Sequence, residues 1–476
     1  MGINMTATIS HINPSSNTGA SDWASALFER LNAHYASGVT HDYGWRVKQL
    51  KQLDKLLDEH DKDIRLALKK DLGKCEMEAW ISEIGYTKAE IKHTLKHLKK
   101  WMKPRKVSTP VLAQPGKSYV QPDPLGTVLI IGAWNYPFQL LVAPMIAAIS
   151  AGNCAIVKPS ELSQNTSALI AKLLPQYLDN DAIAVVEGGK DETTELLKLP
   201  FAYSFYTGGE AVGKIVMRAA AEHLTPVTLE LGGKSPCIVD SKTNLDVTAQ
   251  RIVWGKWMNA GQTCVAPDYV LVEKGFEQPL IDAIKRKLAS QYSAEPKTSE
   301  DYGRIVNERH CARLASYLEG QDIVYGGQVE LSERYIEPTL VLNPALDSAL
   351  MQEEIFGPIL PIITLENIQE SIPFVNSRAK PLAMYVFTQR GDFEQQVLSQ
   401  TTAGSVCVND GMMFMVNPEL PFGGVGYSGM GSYHGQWGFD TFSHLKSVMK
   451  RSFMFDLDVR YAPFNASKLK FLKFLQ

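Results

Sequence analysis

The chain has 476 residues, 45% of them hydrophobic, a size that exceeds one apolar core and calls for two or more domains. Lys and Arg number 48 against 51 Asp and Glu, a formal net charge of -3, which excludes a global positive field for gathering nucleic acid or an anionic membrane. The 6 cysteines lack a CxxC or a paired framework, so a reducing compartment fits better than a disulfide-stapled secreted scaffold.

Residues 1–20 are rich in Ser, Thr, Asn and Gly and have neither a basic start nor an apolar run; they read as a disordered arm and not as a signal peptide. From Trp45 to Leu72 apolar residues recur at Val47, Leu50, Leu53 and Leu57, the pattern of an amphipathic helix. A second such helix carries Ile84, Ile91, Leu95, Leu98 and Met102, with a lysine-rich polar face that reads as solvated. His93 and His97 stand at i and i+4 on it, but Thr94 occupies the place where a zinc hydrolase needs its Glu, so no metal site is expected. No stretch is long and apolar enough to span a bilayer.

Pro104 ends the helical region, and the polar stretch from Lys103 to Pro124 reads as an extended arm or hairpin. From Gly126 short apolar strands alternate with helices: Thr127 to Ile131, a helix after Pro137, Cys154 to Val157, a helix after Ser163, and Ala182 to Val186. Such alternation predicts a parallel sheet covered on both faces. A further strand reaches Tyr206 and gives way to the turn Gly208, Gly209, Glu210, Ala211, Val212, Gly213, then to a helix with Val212, Ile215, Val216 and Ala219. Strand, glycine turn and helix follow in the order a dinucleotide site requires, because a helix N-terminus offers free N–H groups to a pyrophosphate. The spacing is GxxxxG and not GxGxxG, and glycine turns serve packing as often.

After Glu230 a second alternating series begins, with strands near Pro236 to Val239 and Tyr269 to Val272 and helices from Leu245 and Glu277, which predicts a second α/β domain. Two residues stand out for chemistry. Cys264 follows an amphipathic helix on a Gly-containing loop before a strand, where a thiol can be presented to a cleft; a buried structural cysteine is the alternative. Glu230 ends an apolar strand just before a Gly-Gly turn, where desolvation would raise its pKa and suit it to act as a base; a capping or salt-bridged carboxylate is the alternative.

Six segments in order, Trp134-Asn135-Tyr136-Pro137, Lys158-Pro159-Ser160-Glu161, Leu229 to Pro236, Asn259 to Pro267, Glu353 to Pro358 and Pro421 to Gly424, resemble the aldehyde dehydrogenase superfamily from about Trp45 to Ser447. The stretch His223 to Asp240 and the tail Gly429 to His444 are most similar to the class 3 and fatty aldehyde dehydrogenase branch, near which coniferyl aldehyde dehydrogenases also stand.

The resemblance implies a Rossmann-like parallel-sheet cofactor domain, an α/β catalytic domain and a small β bridging arm. In these terms residues 21–103 and 125–230 form the dinucleotide-binding domain and 231–415 the catalytic domain. Residues 104–124 and 416–450 form the bridging and oligomerisation element, and 451–476 a C-terminal tail.

It also implies that Cys264 attacks the aldehyde, that the side chain of Asn135 and the N–H of Cys264 hold the oxyanion, and that Glu230 activates the hydrolytic water. Lys158 and Glu161 resemble adenosine ribose contacts, the segment Gly208 to Gly213 the pyrophosphate turn, and Glu354 and Phe356 the nicotinamide contacts. Tyr86, Tyr136 and Trp254 resemble the aromatic lining of the class 3 substrate channel.

One departure is Gly209, where many relatives carry Ser and gain a phosphate contact. Another is the tail, which stops after a short amphipathic stretch from Lys468 where membrane-bound relatives continue into an apolar anchor. The resemblance thus implies NAD as cofactor with NADP also accepted, and a soluble, cytoplasmic homo-oligomer, a dimer favoured. Acyl transfer to coenzyme A and a retired, non-catalytic member are the competing readings. Retention of Glu230 disfavours the first, and Cys264, Glu230 and Asn135 together disfavour the second.

Overall fold

The computed structural model describes residues 11–12, 23–454 and 456–475. Most of the arm expected at 1–20 lies outside the described residues. His11–Ile12 depart from that expectation by adding a short parallel strand beside Ile183–Val186, an edge pairing that polar composition does not announce. The apolar periodicity from Trp45 to Leu72 belongs to two helices, Tyr43–Glu59 and Asp61–Leu72, because His60 leaves helical geometry at φ -117° and ψ 21°. Asp42 caps the first by accepting a hydrogen bond from the Trp45 N–H. The lysine-rich helix spans Gly85–Trp101, and its Lys88 reaches Asp54 and Asp58 on the neighbouring helix.

The first sheet has seven strands in the spatial order His11–Ile12, Ile183–Val186, Cys154–Lys158, Thr127–Ile131, Tyr203–Thr207, Val227–Glu230 and Gly429–Met430. All neighbours are parallel except the last pair. The strands Thr127–Ile131, Cys154–Lys158 and Tyr203–Thr207 are buried residue by residue, which is why they read as continuous apolar runs. The chain builds outward from Thr127–Ile131 to one side, then returns to add Tyr203–Thr207 on its other side. That reversal leaves a crevice at the C-terminal ends of these two strands, the place where open parallel sheets take ligands.

The second sheet also has seven strands, in the order Ile323–Tyr325, Thr339–Leu342, Ile359–Leu365, Tyr269–Glu273, Pro236–Val239, Ala383–Phe387 and Ser405–Val408, parallel except for the first pair. Its side chains alternate between two cores, as period-2 geometry requires. Cys237 and Val239 join the large apolar cluster that extends to the first sheet, and Ile238 joins a smaller one on the opposite face.

The expected hairpin is present: Arg105–Val107 pairs antiparallel with Gly116–Pro124, which in turn pairs along its length with Ser443–Arg451. The chain ends in the helix Ala466–Leu475, with Leu469 and Phe471 exposed. No helix among the described residues is long and apolar enough to cross a membrane.

Candidate active site

The loop that carries Cys264 is shaped by backbone geometry. After the helix Leu245–Trp257 the chain turns through Asn259 at φ 55°, Ala260 at φ 50° and Gly261 at φ 75°, three successive left-handed residues. At Gly261 a Cβ would stand 2.2 Å from the Gly357 carbonyl oxygen, so only glycine fits.

Side-chain amides hold this turn. Asn259 Nδ2 donates to the carbonyls of Asn135 (2.8 Å) and Gln262 (3.1 Å), and Gln262 Nε2 donates to those of Asn259 (3.0 Å) and Arg304 (2.9 Å). Gln262 Oε1 accepts the Val306 N–H at 2.9 Å. The result is a fixed shelf on which Cys264 stands half-buried while its neighbours Thr263 and Val265 are buried.

Asn135 lies just past the strand Thr127–Ile131, is 2% exposed, and donates from Nδ2 to the Gln262 carbonyl at 3.0 Å. Its own carbonyl accepts from Lys74 Nζ at 3.0 Å as well as from Asn259. Lys74 in turn is 2.5 Å from Glu83, both side chains fully buried, and Glu83 Oε2 accepts the N–H groups of Phe138 and Gln139. Buried charges persist only with this degree of pairing.

Glu230 ends the strand Val227–Glu230, is 3% exposed, and neither carboxylate oxygen has a hydrogen-bond partner. Burial alone drives its pKa well above the ordinary carboxylate value, so the resting group is a neutral acid. Burial likewise pushes the Cys264 thiol up, aided by Glu354 and Glu230 and opposed by the N–H groups of Cys264 and Val265.

Cys264, Glu230, Asn135, Gly208, Gly209, Glu354 and Phe356 line one cavity of about 250 Å³ at the crevice between the two central strands. Glu354 has its pKa raised to about 8 by burial and by Asp268, against a hydrogen bond from the Gly233 backbone. A Cβ at Gly232 would stand 2.0 Å from its carboxylate, so that glycine makes the room Glu354 occupies. Phe356 adopts φ 50° and meets Trp134 edge-on, with ring centroids 5.2 Å apart.

The glycine turn leaves space for a phosphate. Gly208 has φ 158°, and a Cβ there would meet the Tyr206 hydroxyl at 2.2 Å, whereas a Cβ at Gly209 would meet nothing within 4 Å. Gly209 precedes the helix Glu210–Ala221 without a side-chain cap, so the N–H groups of the first turn remain free for an anion. These features fit a dinucleotide.

Glu210 lines an adjoining cleft of about 850 Å³ shared with Gly232 and Glu354, and Ala211 is exposed on the same turn. Gly213 is buried and packs closely on Leu231. The apolar face read into this helix is only partly internal, since Val212 and Ile215 are 43% and 52% exposed and Val216 is buried.

Lys158 and Glu161 do not line the cavity. They lie one strand away at the same end of the sheet, with Lys158 Nζ 3.5 Å from Glu161. Nor are Tyr86, Tyr136 and Trp254 brought to the wall that holds Cys264. Tyr86 lines a separate groove with Met415 and Val416, and Trp254 packs half-buried against the core. Tyr136 is buried under Lys74 and hydrogen-bonds Thr263, the residue before Cys264, at 2.6 Å.

Sequence reasoning gave no role to Trp134, His310 and Arg313, which line the cavity as well. His310 and Arg313 share one face of the short helix Glu308–Ser316, and helical spacing is the single signal that links them. His310 is held neutral, its pKa lowered to about 4 by burial and by Arg313 and Arg309. Arg313 donates to the carbonyls of Glu354 and Ile355 and so braces the Glu354 segment. His93 and His97 stack with Trp101, and no cluster of three or more metal-ligating side chains occurs among the described residues.

The model of the aldehyde dehydrogenase family matches residues 25–448. The chain is 48% identical over 448 residues to aldehyde dehydrogenase family 3 member A2 of Rattus norvegicus, covering 94% of this chain and 93% of the relative. It is 46% identical over 441 residues to the dimeric NADP-preferring aldehyde dehydrogenase of Canis lupus familiaris, covering 92% and 97%. Among solved structures, the substrate-bound state of Staphylococcus aureus AldH superposes with a TM-score of 0.93 at 47% identity, covering 95% of this chain and 99% of that one.

Proposed function

This chain belongs to the aldehyde dehydrogenase family and is an NAD(P)-dependent oxidoreductase of aldehydes, and from that premise we propose that it oxidises a medium- or long-chain aliphatic or an aromatic aldehyde to the acid through a thioester on Cys264. The observation that carries the proposal is the meeting of a half-buried thiol, an unpartnered buried carboxyl and a side-chain amide on one cavity wall.

Cys264 Sγ adds to the aldehyde carbon after losing its proton, and the oxygen that becomes an oxyanion needs preorganised donors. The second N–H of Asn135 Nδ2, left over from its bond to Gln262, and the Cys264 N–H supply them. When bound, the nicotinamide supplies the hydride acceptor that turns the adduct into a thioester. Glu230 then takes a proton from water as the water oxygen attacks the thioester carbon, and the C–S bond breaks to release the acid and restore the thiol. Glu354 and Phe356 would hold the nicotinamide end, Gly208 to Gly213 the pyrophosphate, and Lys158 and Glu161 the adenosine ribose.

The division expected above is part of the same reading, with 21–103 and 125–230 holding the cofactor and 231–415 the catalytic thiol. The three-stranded sheet of 104–124 with 416–450 serves a cytoplasmic homodimer. NAD is the favoured cofactor, with NADP accepted. Transfer of the acyl group to coenzyme A is disfavoured because such a reaction does not need a base at Glu230. Mixing the protein and NAD with aldehydes of graded chain length and with aromatic aldehydes, followed by absorbance of the reduced cofactor, tests the reading. Turnover rising with chain length or with an aryl group supports it; turnover confined to acetaldehyde-sized substrates contradicts it.

A further inference from the structure

The strand that carries Glu230 has an antiparallel neighbour in Gly429–Met430, with Gly429 opposite Glu230. Two glycines let this segment lie flat: a Cβ at Gly429 would meet the Leu229 carbonyl oxygen at 2.0 Å, and one at Gly431 would meet Thr228 Oγ1 at 2.2 Å. The chain then delivers Tyr433, 1% exposed, edge-on against Phe205 and Phe422 with ring centroids 5.0 and 5.8 Å away.

The Tyr433 hydroxyl, Gln139 Nε2, Thr207 Oγ1 and both Glu230 oxygens are buried without a hydrogen-bond partner. Each such group costs about 1–3 kcal/mol unless it is bridged, and bridging by water is the usual remedy at a polar site. Glu230, Cys264 and Glu90 all act electrostatically on the Tyr433 hydroxyl, and Gln139 is the side-chain donor that faces it.

Beyond Tyr433 the path continues toward solvent. The Gly435 N–H donates to Glu90 Oε1 at 2.8 Å, and Glu90 lines the surface groove of about 210 Å³ that also holds Tyr86. Between them His434 sits at φ 87°, a strained value for a residue with a side chain. Stacking on Phe422 at 5.2 Å and a 2.7 Å hydrogen bond to the Tyr86 hydroxyl hold it there. The strain sets Tyr433 toward the active-site side and Gly435 toward Glu90.

We propose that Tyr433, acting through Glu230, forms with Gln139 and Glu90 the route by which the deacylation proton leaves the active-site cavity for the groove at Tyr86. The proposal rests on the reading of Glu230 as the deacylation base. The water O–H bond breaks as its oxygen bonds the thioester carbon, and the proton goes to a Glu230 oxygen. That proton passes through water to the Tyr433 oxygen while the Tyr433 hydroxyl proton passes through water to the Glu90 carboxylate, and from there to solvent. Each transfer breaks one O–H bond and makes another, with no change of oxidation state, and Glu230 is ionised again for the next turnover.

The test is a single turnover of the full-length enzyme with NAD and aldehyde, following decay of the acyl adduct on Cys264 by intact mass, for Tyr433→Phe, Glu90→Gln and Glu230→Gln. Glu90→Gln keeps an oxygen to accept the Gly435 N–H but cannot take a proton. Tyr433→Phe and Glu90→Gln are expected to form the adduct at the wild-type rate and to lose it at least about tenfold more slowly, below the full effect of removing a general base. Their solvent deuterium isotope effect on this step should be larger than that of wild type, and added imidazole should restore part of the rate to Tyr433→Phe. Wild-type decay in both variants overturns the relay. Adduct formation slowed in parallel with decay, with no response to imidazole, also overturns it and makes Tyr433 a packing residue. Absence of a long-lived adduct in Glu230→Gln overturns the base reading itself, and the relay with it.

Discussion

Asn135 donates from its side-chain amide to the Gln262 carbonyl at 3.0 Å, tying the loop after a central strand of the first sheet to the loop that carries Cys264 in the second. With its carbonyl also engaged by Lys74 and Asn259, the residue is fixed at both ends and keeps one amide N–H to spare. A donor held this way stabilises charge without reorganising when the charge appears.

Replacing Asn135 by Ala should therefore lower kcat by about 10²–10³, the usual effect of losing one oxyanion donor. NAD affinity should stay near wild type, because Asn135 makes no bond to the glycine turn. Steady-state kinetics with a cofactor titration by fluorescence checks this, and a loss confined to KM would assign Asn135 to substrate binding instead.

Gly209 has room for a side chain and a φ of -76°, which serine adopts without strain. Gly209→Ser should cap the helix Glu210–Ala221 and raise stability by a few tenths of a kcal/mol. Its hydroxyl should also bind a phosphate oxygen and tighten NAD by roughly tenfold, the worth of one hydrogen bond to a charged group. An unchanged Kd would mean that the pyrophosphate lies elsewhere.

Much of this was legible in the sequence because its causes are local. The strands Thr127–Ile131 and Cys154–Lys158 are buried on both faces and so are apolar throughout, and the glycine turn announces itself by residues that no side chain can replace. Glu230 was conspicuous as a carboxylate at the end of an apolar strand, and it is buried and unpartnered.

What escaped depends on contacts distant in the chain. His310 and Arg313 reach the cavity through the packing of a short helix that no motif marks, and the pairing of His11–Ile12 with Ile183–Val186 has no local signal. The break at His60 interrupts a periodicity that is unbroken in the sequence. Tyr86, Tyr136 and Trp254 had the size of channel residues, but tertiary packing committed them to other contacts.

Glu161 is exposed at the end of the sheet beside Lys158, where a carboxylate would accept hydrogen bonds from ribose hydroxyls and repel a 2′-phosphate. Glu161→Gln should shift the ratio of kcat/KM for NAD over NADP toward NADP. An unchanged ratio would place the ribose away from this side chain.

The folded pKa of Glu230 is raised above the model value of 4.5. A raised acid contributes stability that is present below its unfolded pKa and is lost as pH rises toward and through the folded value. Wild type should thus lose about 1.4 kcal/mol per pH unit from this group in that window. Glu230→Gln has no such slope, so its Tm relative to wild type should climb between pH 5 and pH 8. A constant difference across that range would show that Glu230 ionises normally in the native state.

The most direct measurement of the central claim is rapid mixing of Glu230→Gln with NAD and aldehyde, with Cys264→Ser alongside. Hydride transfer needs the thiolate and the oxyanion donors, whereas release of the acid also needs a base for water. Glu230→Gln should give a burst of reduced cofactor approaching one per site, then turn over slowly, with an acyl group on Cys264 visible by intact mass. The amplitude is to be read at high pH, where the buried thiol ionises unaided. Cys264→Ser should bind NAD and give neither burst nor adduct. No burst and no adduct in Glu230→Gln at high pH, with NAD still bound, would contradict the account, as would an acyl group found on any cysteine other than Cys264.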